Sequence, residues 1–261
     1  MSTLTFSTLL VSDDGPTRTI TLNNPTRKNA IGPVMVNELL WALSDACETT
    51  SVRSMVLTGA GDAFCAGGDF GQMTGGANAS ELPPKGDYAD LLLALANCPK
   101  PIVARVNGHA MGGGLGLVAA SHFAVGARGA KLGTPEINVG LFPMMIMAVL
   151  QRVMPRRKLV SMMLLGERLD ADEAMQVGIL GKVVDPAELD SAVKQITDAV
   201  AAKSPVATRL GLQALAAQDD LDLETALPML RERLAGVLAT DDAREGLMAF
   251  LEKRTPKWTG K

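Results

Sequence analysis

Aromatic side chains are scarce. They make up 3% of the 261 residues, with six phenylalanines, two tryptophans and one tyrosine. A core of this size must therefore be built from Ala, Val, Leu and Met, and Met reaches 14 residues. Histidine occurs twice and cysteine three times (Cys47, Cys65, Cys98), with no Cys-x-x-Cys pair. That excludes a disulfide framework and gives no support for a zinc site. The expectation is reduced thiols in a cytoplasmic protein with no bound metal. The apolar run 144–150 falls far short of the ~20 residues a membrane helix needs. Residues 1–15 lack a basic n-region and a clean apolar stretch, so no secretory signal is expected. Positive charge is not in excess: 25 Lys and Arg face 28 Asp and Glu, a net −3. The bulk field therefore opposes nucleic acid and anionic membranes as partners.

What is present is a globular chain, 47% hydrophobic and 20% charged, ample for a buried core. Residues 5–11 and 18–23 carry β-branched alternation around the turn Asp13, Asp14, Gly15, Pro16. Residues 33–49 have helical spacing, with Pro33 suited to a first turn. A strand is expected over 52–58, a loop over 71–84, a helix over 88–97, a strand over 102–106 and a helix over 115–121. Short strands follow at 123–126 and 131–133, with one more around Val183 and Val184. The pattern is helical from Pro143, with Asp170 and Glu173 spaced as a capping box. Helices are expected over 186–202, 205–218, 223–238 and 242–253. The fold class is α/β, with a soft boundary near 200 between a core (1–200) and a helical C-terminal part (201–261). No internal sequence repeat is visible.

Two glycine-rich turns follow strands. One is Phe64, Cys65, Ala66, Gly67, Gly68, Asp69, and the other runs from Asn107 through Gly112, Gly113 and Gly114. Such turns leave N–H groups free to donate, and two brought together would form an oxyanion hole. A rival reading takes Gly114, Gly116 and Ala119 as a dinucleotide fingerprint, with Glu136 twenty residues beyond. It is the weaker one, because Glu136 follows Thr134-Pro135 and ends no Val-rich strand. Glu136 lies beside Ile137, Val139, Leu141 and Phe142, surroundings that would raise a carboxyl pKa and make it a proton carrier. His109 and His122 lack a Ser or Cys partner and read as structural. Arg27 and Lys28 sit in a punctuated loop suited to a phosphate.

The segments Asn23–Pro25 with Asn29-Ala30, the Phe64–Asp69 turn, and Pro101 to Gly108 followed by Gly112–Gly114 occur together. Pro135-Glu136 with Gly140, Glu173-Ala174 with Gly178, and Asp241-Asp242 through Glu245-Gly246 and Phe250 to Lys253-Arg254 complete the set. In order and spacing they resemble the crotonase superfamily, the enoyl-CoA hydratase/isomerase family, over essentially the whole chain. The resemblance implies a superhelix of repeated ββα units with a C-terminal helical part, assembled as a homotrimer or homohexamer. It implies an acyl-CoA substrate, with coenzyme A as part of that substrate and no separate cofactor. Gly68 and Gly113 would supply the oxyanion N–H groups, and Ala66 would lie beside the adenine. Arg27, Lys28, Phe250 and Lys253 would reach CoA, and Asp69 is grouped with them. Two departures stand out. The first of the family's two hydratase glutamates is replaced here by Gly116, which suggests space in the acyl site. Met144 and its methionine neighbours stand where a glycine-rich segment is usual, reshaping the acyl pocket. With Glu136 alone, double-bond isomerisation is slightly favoured. Hydration or dehydration through Glu136, or weak activity in a CoA-binding relative, are the alternatives.

Overall fold

The computed structural model describes residues 4–69, 71 and 80–261; the loop expected over 71–84 lies largely outside them. The chain opens with the antiparallel hairpin β1 (Leu9–Asp14) and β2 (Thr17–Leu22), whose turn holds Gly15 at φ +54°. β1 starts later than alternation suggests because residues 7 and 8 have another partner. The buried Glu38 carboxylate accepts the N–H and hydroxyl of Ser7 (2.8 and 2.7 Å) and of Thr8 (2.8 and 2.6 Å). Glu38 belongs to α1 (Pro33–Glu48), so the first helix clamps the N-terminal segment.

A structural repeat then appears that the sequence does not display. β3 (Ser54–Gly59), β4 (Ala63–Cys65) and α2 (Tyr88–Ala96) form one unit. β5 (Ile102–Val106), β6 (His109–Met111) and α3 (Gly113–Ala119) form the next. β7 (Phe123–Ala127), β8 (Lys131–Gly133), a 3-10 helix (Pro135–Val139) and α4 (Met144–Val153) form the third. Each unit gives its first strand to one sheet and its second to another. With β9 (Arg168–Asp170) and β10 (Lys182–Val184), the sheets run β1-β2-β3-β5-β7-β10 and β4-β6-β8-β9. Strands β3, β5 and β7 are parallel, as are β4, β6 and β8. This is the ββα superhelix.

β3 is buried along its whole length, because both faces are covered. Met55 and Leu57 join the main core with Leu39, Leu43, Leu91, Leu95 and Leu117. Val56 points the other way, onto Val103, Val125, Leu189 and Val193 beneath α7 (Leu189–Ala201). Between them lie α5 (Arg156–Leu165) and α6 (Ala171–Gln176), the latter opened by the Asp170–Glu173 capping box. The chain ends with α8 (Pro205–Gln218), α9 (Leu223–Leu238) and α10 (Asp241–Leu251). No described helix is long and apolar enough to cross a membrane.

Asp242 locks the end of the chain. Its buried carboxylate accepts Ser204 Oγ (2.7 Å), Thr259 N–H (2.7 Å) and hydroxyl (3.1 Å), and Gly260 N–H (3.1 Å). Burial pushes its pKa up, but these hydrogen bonds outweigh it and hold the group below the usual value. Its stabilisation is therefore present above the ordinary aspartate range and is lost as pH falls through the depressed pKa. Asp242→Ala leaves buried donors unpaired and is expected to cost about 3 kcal/mol. Denaturant titration at pH 7 and pH 3 checks this: the gap between native and variant narrows at pH 3.

Candidate active site

Strand register builds the site. β4 pairs with β6 so that Cys65 faces Ala110. Gly68 and Gly113 lie just beyond the ends of these strands, in the turns that the two strands deliver side by side. Two N–H groups from such neighbouring turns can both donate to one oxygen. Neither the Gly68 nor the Gly113 N–H donates to a backbone carbonyl among the described residues. Gly113 also opens α3, where the first N–H groups have no partner within the helix. The two turns press together: a Cβ on Gly67 would stand 3.2 Å from the Met111 carbonyl oxygen, and one on Gly114 2.6 Å from the Cys65 Cβ.

Register places the acid in the same way. β6 pairs with β8 at Met111 and Gly133, and Gly112 N–H donates to Gly133 O (2.9 Å). Buried Thr134 then donates its hydroxyl to Met162 O (3.1 Å), fixing the entry to the 3-10 helix that carries Glu136. The Glu136 carboxylate consequently lies against Gly112, whose φ is +48°; a Cβ there would meet Glu136 Oε1 at 2.4 Å. Oε2 is buried with no hydrogen-bond partner among the described residues. Burial pushes the Glu136 pKa up, as a proton carrier requires. Of its apolar neighbours in sequence, Ile137 and Phe142 are partly buried, while Val139, Leu141, Met144 and Met145 are exposed.

One of the expected site residues needs correction. Gly116 does not mark open space. A Cβ there would stand 2.4 Å from Tyr88 Oη and 2.6 Å from Ile146 Cγ2, so the volume is already filled. Asp69 is buried behind Arg27. Its side chain is 0% exposed and accepts Arg27 Nη2 at 2.8 Å, leaving the 54%-exposed guanidinium outermost. Lys28 and Ala66 are exposed and linked, since Ala66 N–H donates to Lys28 O (2.9 Å). Buried Asn29 fastens this loop to the first turn, donating to Ala60 O and Ala63 O (both 2.9 Å) and accepting Asn24 N–H (2.9 Å). The Arg27–Lys28 loop thus sits beside the Gly68 turn, and Ile31 forms a bridge to Gly68 itself. Met144 is exposed at the start of α4. Phe250, 81% exposed, and exposed Lys253 lie at the end of α10, which packs on α8 and α9. They stand on the helical end of the chain.

The histidines are structural, as expected. His109 Nδ1 accepts Lys131 N–H (3.0 Å) and His122 Nδ1 accepts Ile102 N–H (3.1 Å); burial pushes the His122 pKa down. The dinucleotide reading fails as well. Gly114 and Gly116 lie inside α3, where they allow close packing, and Glu136 ends no strand.

One residue went unnoticed in the sequence. Tyr88, read there only as a helix start, donates its hydroxyl to Gly113 O at 2.5 Å. It lies 25 positions before its partner, and its rarity, as the one tyrosine of the chain, was the available signal.

Comparison with known proteins finds relatives along nearly the whole chain. Residues 17–261 match the family model described as Enoyl-CoA hydratase/isomerase. The 1,2-epoxyphenylacetyl-CoA isomerase of Escherichia coli is 35% identical over 250 residues, covering 93% of this chain and 95% of that protein. The short-chain-enoyl-CoA hydratase of Clostridium acetobutylicum is 28% identical over 249 residues, covering 94% and 95%. The crystal structure of an enoyl-CoA hydratase from Mycobacterium smegmatis superposes with a TM-score of 0.88 at 34% identity, covering 97% of this chain and 99% of that one.

Proposed function

The chain belongs to the enoyl-CoA hydratase/isomerase family, and from that premise we propose that it is a double-bond isomerase of acyl-CoA thioesters that uses Glu136 as its single proton carrier. The carrying observation is that one carboxylate, with an unpartnered buried oxygen, faces the glycine turn, while a neutral phenol fills the place over Gly116. The N–H groups of Gly68 and Gly113 receive the thioester oxygen. Glu136 takes a proton from C2 of a 3-enoyl thioester, and the C–H electron pair moves into a dienolate whose charge rests on that oxygen. The same carboxyl returns the proton at C4 as the enolate collapses, leaving the double bond between C2 and C3. Nothing is oxidised and no group departs. Hydration asks for more: water must be activated at C3 and a proton delivered to C2, work more readily shared by two acids.

The exposed Arg27 edge and Lys28 serve the CoA phosphates in this reading, with Ala66 beside the adenine. Phe250 and Lys253 reach CoA from a neighbouring subunit. Leu223, Leu227, Leu234 and Leu238 along α9 are exposed, as are Leu247, Phe250 and Leu251 on α10, an apolar surface suited to a homotrimer or homohexamer. A cytoplasmic location belongs to the same reading. The test is direct: assay 3-hexenoyl-CoA isomerisation and 2-hexenoyl-CoA hydration with the assembled protein. Isomerisation is expected to be faster by about 10-fold or more. Efficient hydration with no isomerisation favours the hydratase reading, and CoA binding without either reaction favours an inactive relative.

A further inference from the structure

Tyr88 opens α2, and that start is rigid. Asp87 accepts the N–H groups of Ala89 (2.8 Å) and Asp90 (3.1 Å), while Asp90 accepts the Asp87 N–H (2.8 Å). The ring therefore projects from a fixed point onto the first turn of α3. Its hydroxyl donates to Gly113 O at 2.5 Å and lies 2.4 Å from where a Cβ on Gly116 would be. Ile146 of α4 closes the other side, 2.6 Å from the same point. Burial, with smaller contributions from Cys65 and Glu136, pushes the phenol pKa well up, so the group stays neutral. With its proton committed to Gly113 O, it has none to give to carbon, and as a neutral phenol it does not activate water.

Two consequences follow from that placement. The phenol fills the volume over Gly116, beside the first turn of α3. It also ties down Gly113, the residue whose N–H faces the thioester oxygen. We propose that Tyr88 is the specificity-determining residue of this site: its ring excludes water from the face over Gly116, and its hydroxyl positions Gly113. The inference rests on the enolate chemistry proposed above and adds what decides the fate of the enolate. With water shut out, the proton on Glu136 stays there long enough to return to the same molecule. With water admitted, it is exchanged, and C3 becomes open to hydration.

Two variants separate the roles. Tyr88→Phe keeps the volume and removes the hydrogen bond. Tyr88→Ala opens the volume. Each is assayed as the assembled protein in D2O with 3-hexenoyl-CoA, reading isomerisation rate, hydration rate and deuterium content of the isomerised product. A parallel reaction follows deuterium entry at C2 of butyryl-CoA, which reports enolate formation followed by exchange of the Glu136 proton with solvent. For Tyr88→Phe, isomerisation and butyryl-CoA exchange are expected to fall together by about 10-fold, with KM and the hydration-to-isomerisation ratio unchanged. For Tyr88→Ala, that ratio is expected to rise by about 10-fold and product deuterium to increase. In Tyr88→Ala, a purely structural role would lower all rates and leave both the ratio and the deuterium content alone, which would overturn the proposal. So would native rates and ratio in Tyr88→Phe, the informative variant should Tyr88→Ala not fold. A native protein that neither isomerises 3-hexenoyl-CoA nor exchanges butyryl-CoA would overturn the underlying enolate reading, and this inference with it. Isomerisation by the native protein with an unchanged ratio in Tyr88→Ala would overturn the inference alone.

Discussion

Replacing Glu136 with Gln is expected to lower turnover by at least ~10²-fold while leaving the melting temperature at pH 7 no lower than that of the native protein. The two outcomes have one cause. The carboxylate is buried with Oε2 unpartnered, so its ionised form is disfavoured in the folded state and its pKa is pushed up. A raised carboxyl pKa contributes stability below its unfolded value, and that contribution is lost as pH rises through the folded value. At pH 7 the ionised group is therefore a cost to the fold, retained for chemistry, and the neutral amide removes it. The same pKa sets the acid limb of activity. Glu136 must be ionised to accept the C2 proton, so kcat falls as pH drops through a value above that of an exposed glutamate. Rate–pH profiles of the native protein with thermal melts of both proteins check this. A Gln variant with near-native turnover would remove Glu136 from the reaction. A large loss of melting temperature would make it a structural residue.

The long helices were legible because amphipathic spacing and capping chemistry are local. The ranges of α8 and α9 agree residue for residue with their expected 205–218 and 223–238, and the Asp170–Glu173 box forms as spaced. Of the short strands that assemble the site, β8 was legible and lies at its expected 131–133, but β4 and β6 were not. They have three residues each, too few for alternation to register, and hide within what reads as glycine-rich turn. Yet β4 and β6 deliver the turns of Gly68 and Gly113 side by side, and β6 and β8 bring Gly112 to Glu136. The motifs therefore named the participants, while their juxtaposition depended on pairings between residues 22 to 46 positions apart. Gly116 shows the same limit. A glycine within a helix costs about 1 kcal/mol relative to alanine, which points to a packing demand. Sequence does not say whether the demand is for empty space or for a neighbour. Here it is the Tyr88 phenol, supplied from α2.

Gly112→Ala is expected to impair both stability and turnover, and so to differ from every substitution of Glu136 itself. Gly112 has φ +48° and ψ −120°, a conformation that side chains with a Cβ rarely adopt. Holding alanine there costs about 1–3 kcal/mol. The methyl group would also stand 2.4 Å from Glu136 Oε1 and 3.2 Å from its carboxyl carbon, so the carboxylate must move. No hydrogen bond to Oε2 among the described residues resists that movement. A displacement near 1 Å is enough to spoil proton transfer, and turnover should fall by about 10²-fold. Shortening the acid separates the two effects. In Gly112→Ala/Glu136→Asp the carboxylate withdraws from the new methyl while the backbone strain remains. The stability loss should therefore persist, and the second substitution should cost less activity than Glu136→Asp costs alone. Thermal melts and kcat for the native protein, the two single variants and the double variant form the cycle. Strict additivity of the activity losses would show that Gly112 and Glu136 do not press on one another. Unchanged melting and turnover in Gly112→Ala would show that the turn accepts a side chain, and the close approach that seats the carboxylate would then have no catalytic consequence.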